Sequence, residues 1–215
     1  MQAGLFVALV AAYLIGSLPT GYAIARLRGV NVLKVGSGHT GATNVLRSSG
    51  AVCAALTALA DMAKGYAGVT VARLLAPDLS WASALAGIAA VLGHNKSVFL
   101  RFGGGVGTMT TFGATVAISP LTGLVALVMG AIPMVITRYA SVGSLVYAVA
   151  VPIIAGFGVL LRGWPIAWVV FGLGTAALSI WELRRNIQRL ARGQERKIGQ
   201  KIDPGSADIA SIDQP

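Results

Sequence analysis

The sequence predicts an all-α polytopic membrane protein with about seven transmembrane helices. Of its 215 residues, 55% are hydrophobic and only 11% are charged, whereas soluble domains carry roughly 25% charged residues. The 28 glycines favour the same class, because small residues let helix backbones approach each other closely in lipid. The apolar residues are also collected in long, separate runs, as expected for successive membrane-spanning helices.

Seven apolar segments divide the chain, and a full span needs about 20 residues. The fourth segment is short and is predicted to be a half-length or tilted helix. The fifth begins at Ser119-Pro120, where proline suits a helix start. The first has no basic residues before it and ends in Arg26, which predicts a retained span rather than a cleaved signal peptide. The segments are 3–25, 51–75, 80–100, 106–118, 120–137, 141–161 and 164–183.

The distribution of basic residues predicts the orientation. With the N-terminus outside, all but three of the 17 lysines and arginines lie in cytoplasmic loops or in a cytoplasmic C-terminal tail, as the positive-inside rule requires. The exceptions are Arg73 and Arg162 in outside loops, and Lys64 within a span. Topology and attraction to anionic lipid headgroups therefore explain the net charge of +10, and nucleic acid is not expected as a partner.

We predict one membrane domain followed by two tail segments. Residues 1–183 form the helical domain, whose cytoplasmic loop 26–50 is longer than a helical hairpin needs. In the basic segment 184–198, apolar residues recur at helical spacing among arginines, which is typical of a helix lying along the lipid headgroups. Residues 199–215 are small, polar and acidic, and are predicted to be disordered.

The loop segment 36–47, GSGHTGATNVLR, has the composition of an anion-binding loop. Its glycines allow successive backbone N–H groups to point into one concavity. Its hydroxyl side chains add donors, and Arg47 adds a forked cation suited to phosphate. The alternative is an ordinary polar loop with an arginine at the membrane surface.

Ionisable residues also occur within a span, in the motif DMAKG at 61–65. Asp61 and Lys64 are one helical turn apart and can pair on one face. Because ionisable groups are costly inside a membrane, they are candidates for function. The alternative is a self-neutralising structural pair that faces the interior of the bundle.

Two further motifs lie at the cytoplasmic ends of spans. The segment 93–110, GHNKSVFLRFGGGVGTMT, leads through a glycine-rich turn into a helix N-terminus, where free N–H groups and the helix dipole favour an anion. Tight packing is the alternative reason for these glycines. In TRYASVGS at 137–144, Arg138, Ser141 and Ser144 open the sixth span, although a single arginine there is often only a topology anchor.

These motifs share one membrane face and together offer cations, hydroxyls and backbone donors, with almost no free carboxylate. That composition argues against a two-carboxylate hydrolase and against a carboxylate-bound metal. The lone cysteine, Cys53, excludes a cysteine-based zinc site. The predicted site suits a phosphorylated substrate beside the bilayer.

With these motifs in this order, the sequence resembles the bacterial acyl-phosphate-dependent glycerol-3-phosphate acyltransferases, which are enzymes of the inner membrane. The resemblance covers nearly the whole chain. It implies acyl transfer from a fatty acyl phosphate to glycerol 3-phosphate, giving lysophosphatidic acid and phosphate for phospholipid synthesis without a metal or other cofactor. The motifs are GSLPTGY, GSGHTGATNVLR, DMAKG, GHNKSVFLRFGGGVGT, RYASVGS and NIQRLARGQERKI.

The resemblance also implies the residues of the site. The catalytic residues it implies are Ser37, Arg47, Ser141 and Asn186. A wider set is implied to bind or shape the site of the substrate phosphate: Gly38, Asn44, Lys64, His94, Gly103, Gly104, Gly105, Gly107, Arg138 and Ser144.

Three departures from the family pattern bear on activity. The family loop reads FKGGKG, and here Gly103 and Val106 replace both lysines. Leu183 stands where the family has a histidine, and His39 stands where it has an asparagine. Two lost charge-assisted contacts are worth about 1.5–3 kcal/mol each, and His39 or Lys96 is the candidate replacement. Two alternatives to the enzyme therefore remain open: an impaired relative that binds a phosphorylated lipid precursor, and a transporter of a small phosphorylated anion.

Overall fold

The computed structural model describes residues 2–77 and 80–200. Within these residues the chain forms ten α-helices, two short 3-10 turns and no β-strand. The 3-10 turns are Val32–Lys34 and Val98–Leu100. The α-helices are α1 (Gln2–Ser17), α2 (Thr20–Arg26), α3 (Ala42–Ser49), α4 (Ala51–Leu75), α5 (Ser80–Asn95), α6 (Thr108–Ile118), α7 (Pro120–Thr137), α8 (Ala140–Arg162), α9 (Ile166–Glu182) and α10 (Arg184–Ala191).

Helix α5 contacts α1, α4, α6 and α9, while α7 packs against α8. Glycines allow these helices to pack closely. A Cβ on Gly16 would collide with the Ala90 backbone, and one on Gly93 would collide with Tyr13, so α1 and α5 meet through glycine on both sides. Such backbone approach is typical of helix packing in lipid.

Two interior regions of different composition hold the bundle together. The interface of α1, α4 and α5 is filled mainly by alanines. Between α4, α6, α8 and α9 the core is larger and aromatic, with Phe112, Tyr147, Val151 and Phe171 buried. Many large apolar side chains point outward instead: Val135, Ile136, Phe157, Leu160 and Leu161 are all exposed. An apolar exterior, with alanine and glycine at the closest helix contacts, is the pattern of a membrane protein.

All seven predicted apolar segments contain helices. The first is broken at Leu18 and Pro19 into α1 and α2. The third was expected to continue to residue 100, but α5 ends at Asn95 and a 3-10 turn follows. The fourth, α6, is short as predicted, with 11 residues. Next to it, the Ser119 side chain accepts a hydrogen bond from Thr122 N at the start of α7.

In the part of the chain that the structure describes, three helical stretches are long and apolar enough to cross a membrane by length and composition. They are Ala3–Arg26 (α1 with α2), α7 and α8. Helices α9 and α10 form a fourth such stretch only if they are counted together across a bend of 60°. The full count of seven spans and the orientation stay predictions.

The loop 26–50 is folded rather than open. It contains α3, and its own small core joins it to α2 and α4 through Ala25, Val32, Val45 and Cys53. Beyond α10, residues 192–200 return to the end of the bundle. Of the segment predicted to be disordered, Gly199 and Gln200 are described, and 201–215 lies outside the described residues.

Candidate active site

A cavity of about 230 Å³ lies at the polar end of the bundle, between loop 26–50, α6, α7, α8, α10 and residues 192–200. Its lining includes the polar residues Ser37, Arg47, Ser141, Ser144 and Asn186. It also includes the apolar residues Ala58, Met109, Leu127, Ala131 and Met134. This composition suits a molecule with an anionic part and an apolar part.

Asn44 organises the loop that carries Ser37. Its buried side chain donates from Nδ2 to the carbonyls of Val32, Val35 and His39 at 3.1, 3.0 and 2.9 Å. Its Oδ1 accepts from Ser37 N at 3.2 Å. Although Asn44 lines the cavity, its amide hydrogens are used by the loop, so the geometry makes it a positioning residue.

Gly38 contributes to the turn that follows Ser37. Its φ of +72° lies in the left-handed region that favours glycine. Gly38 is not among the cavity-lining residues, whereas Ser37 is. Gly38 thus shapes the turn that presents Ser37.

Arg47 projects from α3 into the cavity. Its Nη2 donates to the Arg196 carbonyl at 2.9 Å, while its buried Nε has no hydrogen-bond partner within the described residues. Burial lowers the pKa of the Arg47 guanidinium below its ordinary value, and nearby Glu195 partly opposes that shift. An arginine nevertheless stays charged in proteins. As a cation that lines the cavity, Arg47 is a fitting partner for an anionic ligand.

Glu195 joins three elements at the cavity. Its Oε1 accepts hydrogen bonds from Ser141 Oγ at 3.2 Å and from Asn186 Nδ2 at 2.8 Å. Its Oε2 pairs with Arg189 Nε at 2.9 Å. Two residues expected to be catalytic, from α8 and α10, thus meet at one carboxylate. Sequence reasoning missed Glu195, although it is the sole acid in the basic run 183–202.

Only the second half of the glycine-rich turn reaches the cavity. Val106 and Gly107 line it, as do Thr108 and Met109 at the start of α6. Gly107 has a φ of +89°, which turns the chain into that helix. The first N–H groups of a helix have no partner within the helix and carry the positive end of its dipole. This end of α6 can therefore receive negative charge.

Gly103, Gly104 and Gly105 are not among the cavity-lining residues. The Gly105 N–H donates to the His94 carbonyl, and the Gly104 carbonyl accepts from Thr40 N, both at 3.1 Å. A Cβ on Gly104 would collide with the His94 carbonyl, and one on Gly105 with the His94 ring. These two glycines therefore serve close packing, which was the alternative interpretation of the turn.

A buried charge cluster lies beneath the cavity. Lys64 Nζ is 2.9 Å from Asp61 Oδ1, 2.9 Å from the Leu18 carbonyl and 3.1 Å from His94 Nδ1. Thr20 Oγ1 also donates to Asp61 Oδ1 at 2.9 Å. Asp61 and His94 line the cavity, but Lys64 does not. Lys64 is thus engaged in the self-neutralising pair that was the alternative to phosphate binding.

Arg138 and Ser144 have different surroundings. Arg138 ends α7, with its carbonyl accepting from Ile198 N at 2.7 Å and its Nη2 donating to the Ile198 carbonyl at 3.3 Å. It is not a cavity-lining residue and holds the returning tail. Ser144 lines the cavity, and its hydroxyl accepts from Thr108 Oγ1 at 2.9 Å.

The third departure from the family pattern, His39, also lines the cavity. Its Nε2 is 3.7 Å from Glu182 Oε2, and the other oxygen of this buried carboxylate is 2.8 Å from Lys96 Nζ. Leu183, the next residue after Glu182, lines the same cavity. The sequence pattern carried no signal for Glu182, which precedes the basic tail like an ordinary helix-end acid.

Comparison with known proteins agrees with this geometry. Residues 6–193 match the family described as glycerol-3-phosphate acyltransferase. The chain is 45% identical over 198 residues to glycerol-3-phosphate acyltransferase 1 of Deinococcus radiodurans, covering 91% of this chain and 96% of that one. It is 40% identical over 195 residues to the glycerol-3-phosphate acyltransferase of Thermus thermophilus, with the same two coverages.

Two solved structures are similar over the same extent. They are crystal structures of PlsY (YgiH), an integral membrane glycerol 3-phosphate acyltransferase, in its glycerol 3-phosphate and lysophosphatidic acid forms. Their TM-scores are 0.84 and 0.81, at 33% and 32% identity, and each comparison covers 91% of this chain and 96% of the other. Fold, apolar exterior and cavity together define an integral membrane acyltransferase. The chain belongs to the glycerol-3-phosphate acyltransferase family.

Proposed function

We propose that this protein transfers a fatty acyl group from acyl phosphate to glycerol 3-phosphate, producing lysophosphatidic acid and inorganic phosphate. One observation carries the proposal. Arg47, Ser141 and Asn186, from three separate helices, converge with the N-terminus of α6 on a single cavity whose lining is otherwise largely apolar. The names of the relatives and the two ligand forms of PlsY support glycerol 3-phosphate as the acceptor.

The reaction needs little covalent chemistry from the protein, because phosphate is a good leaving group. The acceptor hydroxyl attacks the carbonyl carbon of the acyl phosphate, and the bond from that carbon to the phosphate oxygen breaks. Holding two phosphate-bearing substrates together removes an entropic barrier. Donors aimed at the carbonyl oxygen stabilise the negative charge that develops on it.

We assign the catalytic roles to four residues that line the cavity: Ser37, Arg47, Ser141 and Asn186. The Arg47 guanidinium binds phosphate, and its charge and its place in the cavity lining support this role. The Ser37 hydroxyl and the second amide hydrogen of Asn186 donate to substrate oxygens, and Ser141, whose hydroxyl hydrogen goes to Glu195, meets the substrate through its oxygen. Glu195 Oε1 thus orients both Ser141 and Asn186.

The remaining residues of the implied phosphate site act in three ways. Gly107 at the N-terminus of α6 and Ser144 of α8, which accepts from Thr108 beside it, present donors to phosphate. A second group of residues positions the loops around the cavity, as Asn44 does through its side-chain hydrogen bonds. This group consists of Gly38, Asn44, Gly103, Gly104, Gly105 and Arg138. Lys64 and His94 contribute positive charge or hydrogen bonding from the buried cluster.

We further propose a multi-pass topology in the bacterial inner membrane, with seven spans, the N-terminus outside and the C-terminus cytoplasmic. Residues 1–183 form the membrane domain, and 184–198 lie along the headgroups, where their basic side chains contact anionic lipid. The bend of 60° between α9 and α10 supports this arrangement, since it turns the basic helix away from the direction of the last span.

Acyl-phosphate dependence is tested with purified protein in lipid nanodiscs, given palmitoyl phosphate and radiolabelled glycerol 3-phosphate. We expect labelled lysophosphatidic acid, with one phosphate released per molecule formed, and no product from palmitoyl-CoA. Arg28→Ala, a change at an exposed arginine, should match the wild type, and Arg47→Ala should be strongly impaired. Glycerol 3-phosphate binding without product would indicate a binding protein, and uptake into proteoliposomes without product would indicate a transporter.

A further inference from the structure

An exposed apolar loop, residues 97–103, joins the end of α5 to the glycine-rich turn. Within the part of the chain that the structure describes, its side chains Val98, Phe99 and Phe102 are 43%, 55% and 63% exposed. Arg101, which lies among them, is exposed as well. Large apolar side chains gathered on so short a loop mark a surface that binds an apolar partner.

Hydrogen bonds within the loop fix its shape. The Ser97 N–H donates to the Gly103 carbonyl at 3.0 Å, and the Ser97 carbonyl accepts from Phe102 N at 2.8 Å. Arg101 and Phe102 have φ values of +52° and +65°, a left-handed conformation that costs free energy in residues other than glycine. The loop therefore presents its apolar side chains in a fixed arrangement in spite of this strain.

The loop is fastened to the side of α1. The Ser97 hydroxyl donates to the Ser17 carbonyl at 2.6 Å, and the carbonyl of the residue before Ser97 accepts from the Tyr13 hydroxyl at 2.8 Å. Tyr13 and Ser17 belong to the apolar stretch Ala3–Arg26. Two exposed apolar side chains of α1 neighbour these contacts, Leu14 and Leu18. The apolar exterior of α1 thus continues onto the loop.

Helix α4 shows how deep this attachment lies. Gly4 packs against Leu75 at one end of α4, and the Leu18 carbonyl accepts from Lys64 Nζ at 2.9 Å. Ser17 therefore lies at about the middle of this 25-residue helix. At 1.5 Å per residue α4 is about 37 Å long, which exceeds the roughly 30 Å of a hydrocarbon core.

The other end of the loop lies nearer the start of α4. The Gly104 carbonyl, which follows the loop, accepts from Thr40 N at 3.1 Å. The Thr40 carbonyl approaches Gly21, and Gly21 packs against Thr57 in the second turn of α4. The loop thus covers the depth from the middle of α4 to its second turn. A bilayer that surrounds α4 surrounds the loop as well.

We propose that loop 97–103 is inserted into one leaflet of the bilayer, where Val98, Phe99 and Phe102 contact lipid acyl chains. The apolar stem of Arg101 crosses the same layer and its guanidinium reaches the phosphate headgroups. Membrane-surface segments bury their apolar side chains about 5–10 Å deep in this way. Because the loop continues into the turn that carries the cavity-lining Val106, the bilayer supports one wall of the cavity.

The test is the lipid exposure of spin labels on the loop, measured in nanodiscs of phosphatidylethanolamine and phosphatidylglycerol. Phe99→Cys and Phe102→Cys each carry one nitroxide, and the wild type, whose lone cysteine Cys53 is buried, is the labelling blank. Ile153→Cys, at an exposed position in the middle of α8, is the reference for lipid. Arg28→Cys, at an exposed position of loop 26–50, is the reference for water.

Power-saturation electron paramagnetic resonance compares collisions of each label with oxygen, which concentrates in lipid, and with a nickel chelate, which stays in water. We expect an oxygen-to-nickel ratio at positions 99 and 102 that is close to the ratio at 153 and several-fold above that at 28. Thermal unfolding verifies that each variant is folded, and Val98→Cys replaces one that is not. A ratio at either loop position equal to that at position 28 would overturn the inference. Since the labels report contact with lipid rather than turnover, this result is independent of the proposed acyl transfer.

Discussion

The Arg47 guanidinium donates a hydrogen bond from Nη2 to the backbone carbonyl of Arg196, at 2.9 Å, across 149 residues of sequence. This contact fastens the returning C-terminal segment to α3. The same segment carries Glu195 into the cavity wall. Residues 192–200 are thus part of the site, although they follow the last helix.

Replacing Arg47 by alanine or by lysine should lower the activity. Lysine keeps the charge but lacks the planar fork that can donate to the Arg196 carbonyl and to a phosphate at the same time. Charge-assisted hydrogen bonds are worth about 1.5–3 kcal/mol, so we expect kcat/KM for glycerol 3-phosphate to fall about 10- to 150-fold with either change. Steady-state kinetics measure this, with Arg28→Lys as control. Wild-type kinetics in Arg47→Lys would show that charge alone is sufficient.

Replacing Glu195 should impair both stability and activity. In Glu195→Ala the donors of Ser141, Asn186 and Arg189 lose their acceptor. A lost hydrogen bond to a charged group costs about 1.5–3 kcal/mol. We expect a lower midpoint of thermal unfolding in detergent and a loss of acyl transfer. Gln194→Ala, at the neighbouring exposed residue, should change neither quantity; a stable, active Glu195→Ala variant would contradict the structure.

Gly105 and Gly156 should respond differently to alanine. A methyl group at Gly105 would strike the His94 ring, whereas a methyl group at Gly156 in α8 meets nothing within 4 Å. We expect Gly105→Ala to displace the cavity wall and to lower kcat/KM at least about tenfold, by analogy with other overpacked sites that cost about 1–3 kcal/mol. Gly156→Ala should be neutral. If the two variants were equally active, Gly105 would not pack against the His94 ring as the structure shows.

Val106 offers a direct test of the missing family lysine. It is partly buried and lines the cavity, so a lysine there would add a cation beside the N-terminus of α6. We expect Val106→Lys to lower the KM for glycerol 3-phosphate, because a second charge-assisted contact forms. Val106→Met controls for side-chain length without charge. A KM that is unchanged or higher in a folded Val106→Lys variant would show that this position does not face the phosphate.

Asp61 and Lys64 should behave as a coupled structural pair. Their side chains are 3% and 6% exposed and lie 2.9 Å apart. Asp61→Asn leaves the buried ammonium without its counter-charge, so we expect a clear loss of thermal stability. The double variant Asp61→Asn/Lys64→Met should lose less than the sum of the single changes, because it removes both charges. Additive losses in this double-mutant cycle would indicate that the pair is not coupled.

Much of the fold could be predicted from the sequence because membrane insertion is a local property. Long apolar runs, a short fourth run and the proline after Ser119 each predicted helices that the structure contains. The break in the first helix lies at Pro19, a residue type that interrupts helices locally. The end of α5 at Asn95, five residues before the predicted end, had no comparable local signal.

The features of the candidate site also separate into those that the sequence predicts and those that only the structure shows. The sequence alone determined a helical membrane protein and a set of anion-binding motifs, since hydrophobicity, glycine and arginine act within a few residues. Only the tertiary structure decided that Lys64 is turned into a buried ion pair, that Glu195 returns to Ser141 and that His39 faces Glu182. The last two contacts join residues far apart in the chain, which share no periodic signal in the sequence and become neighbours only when the helices pack.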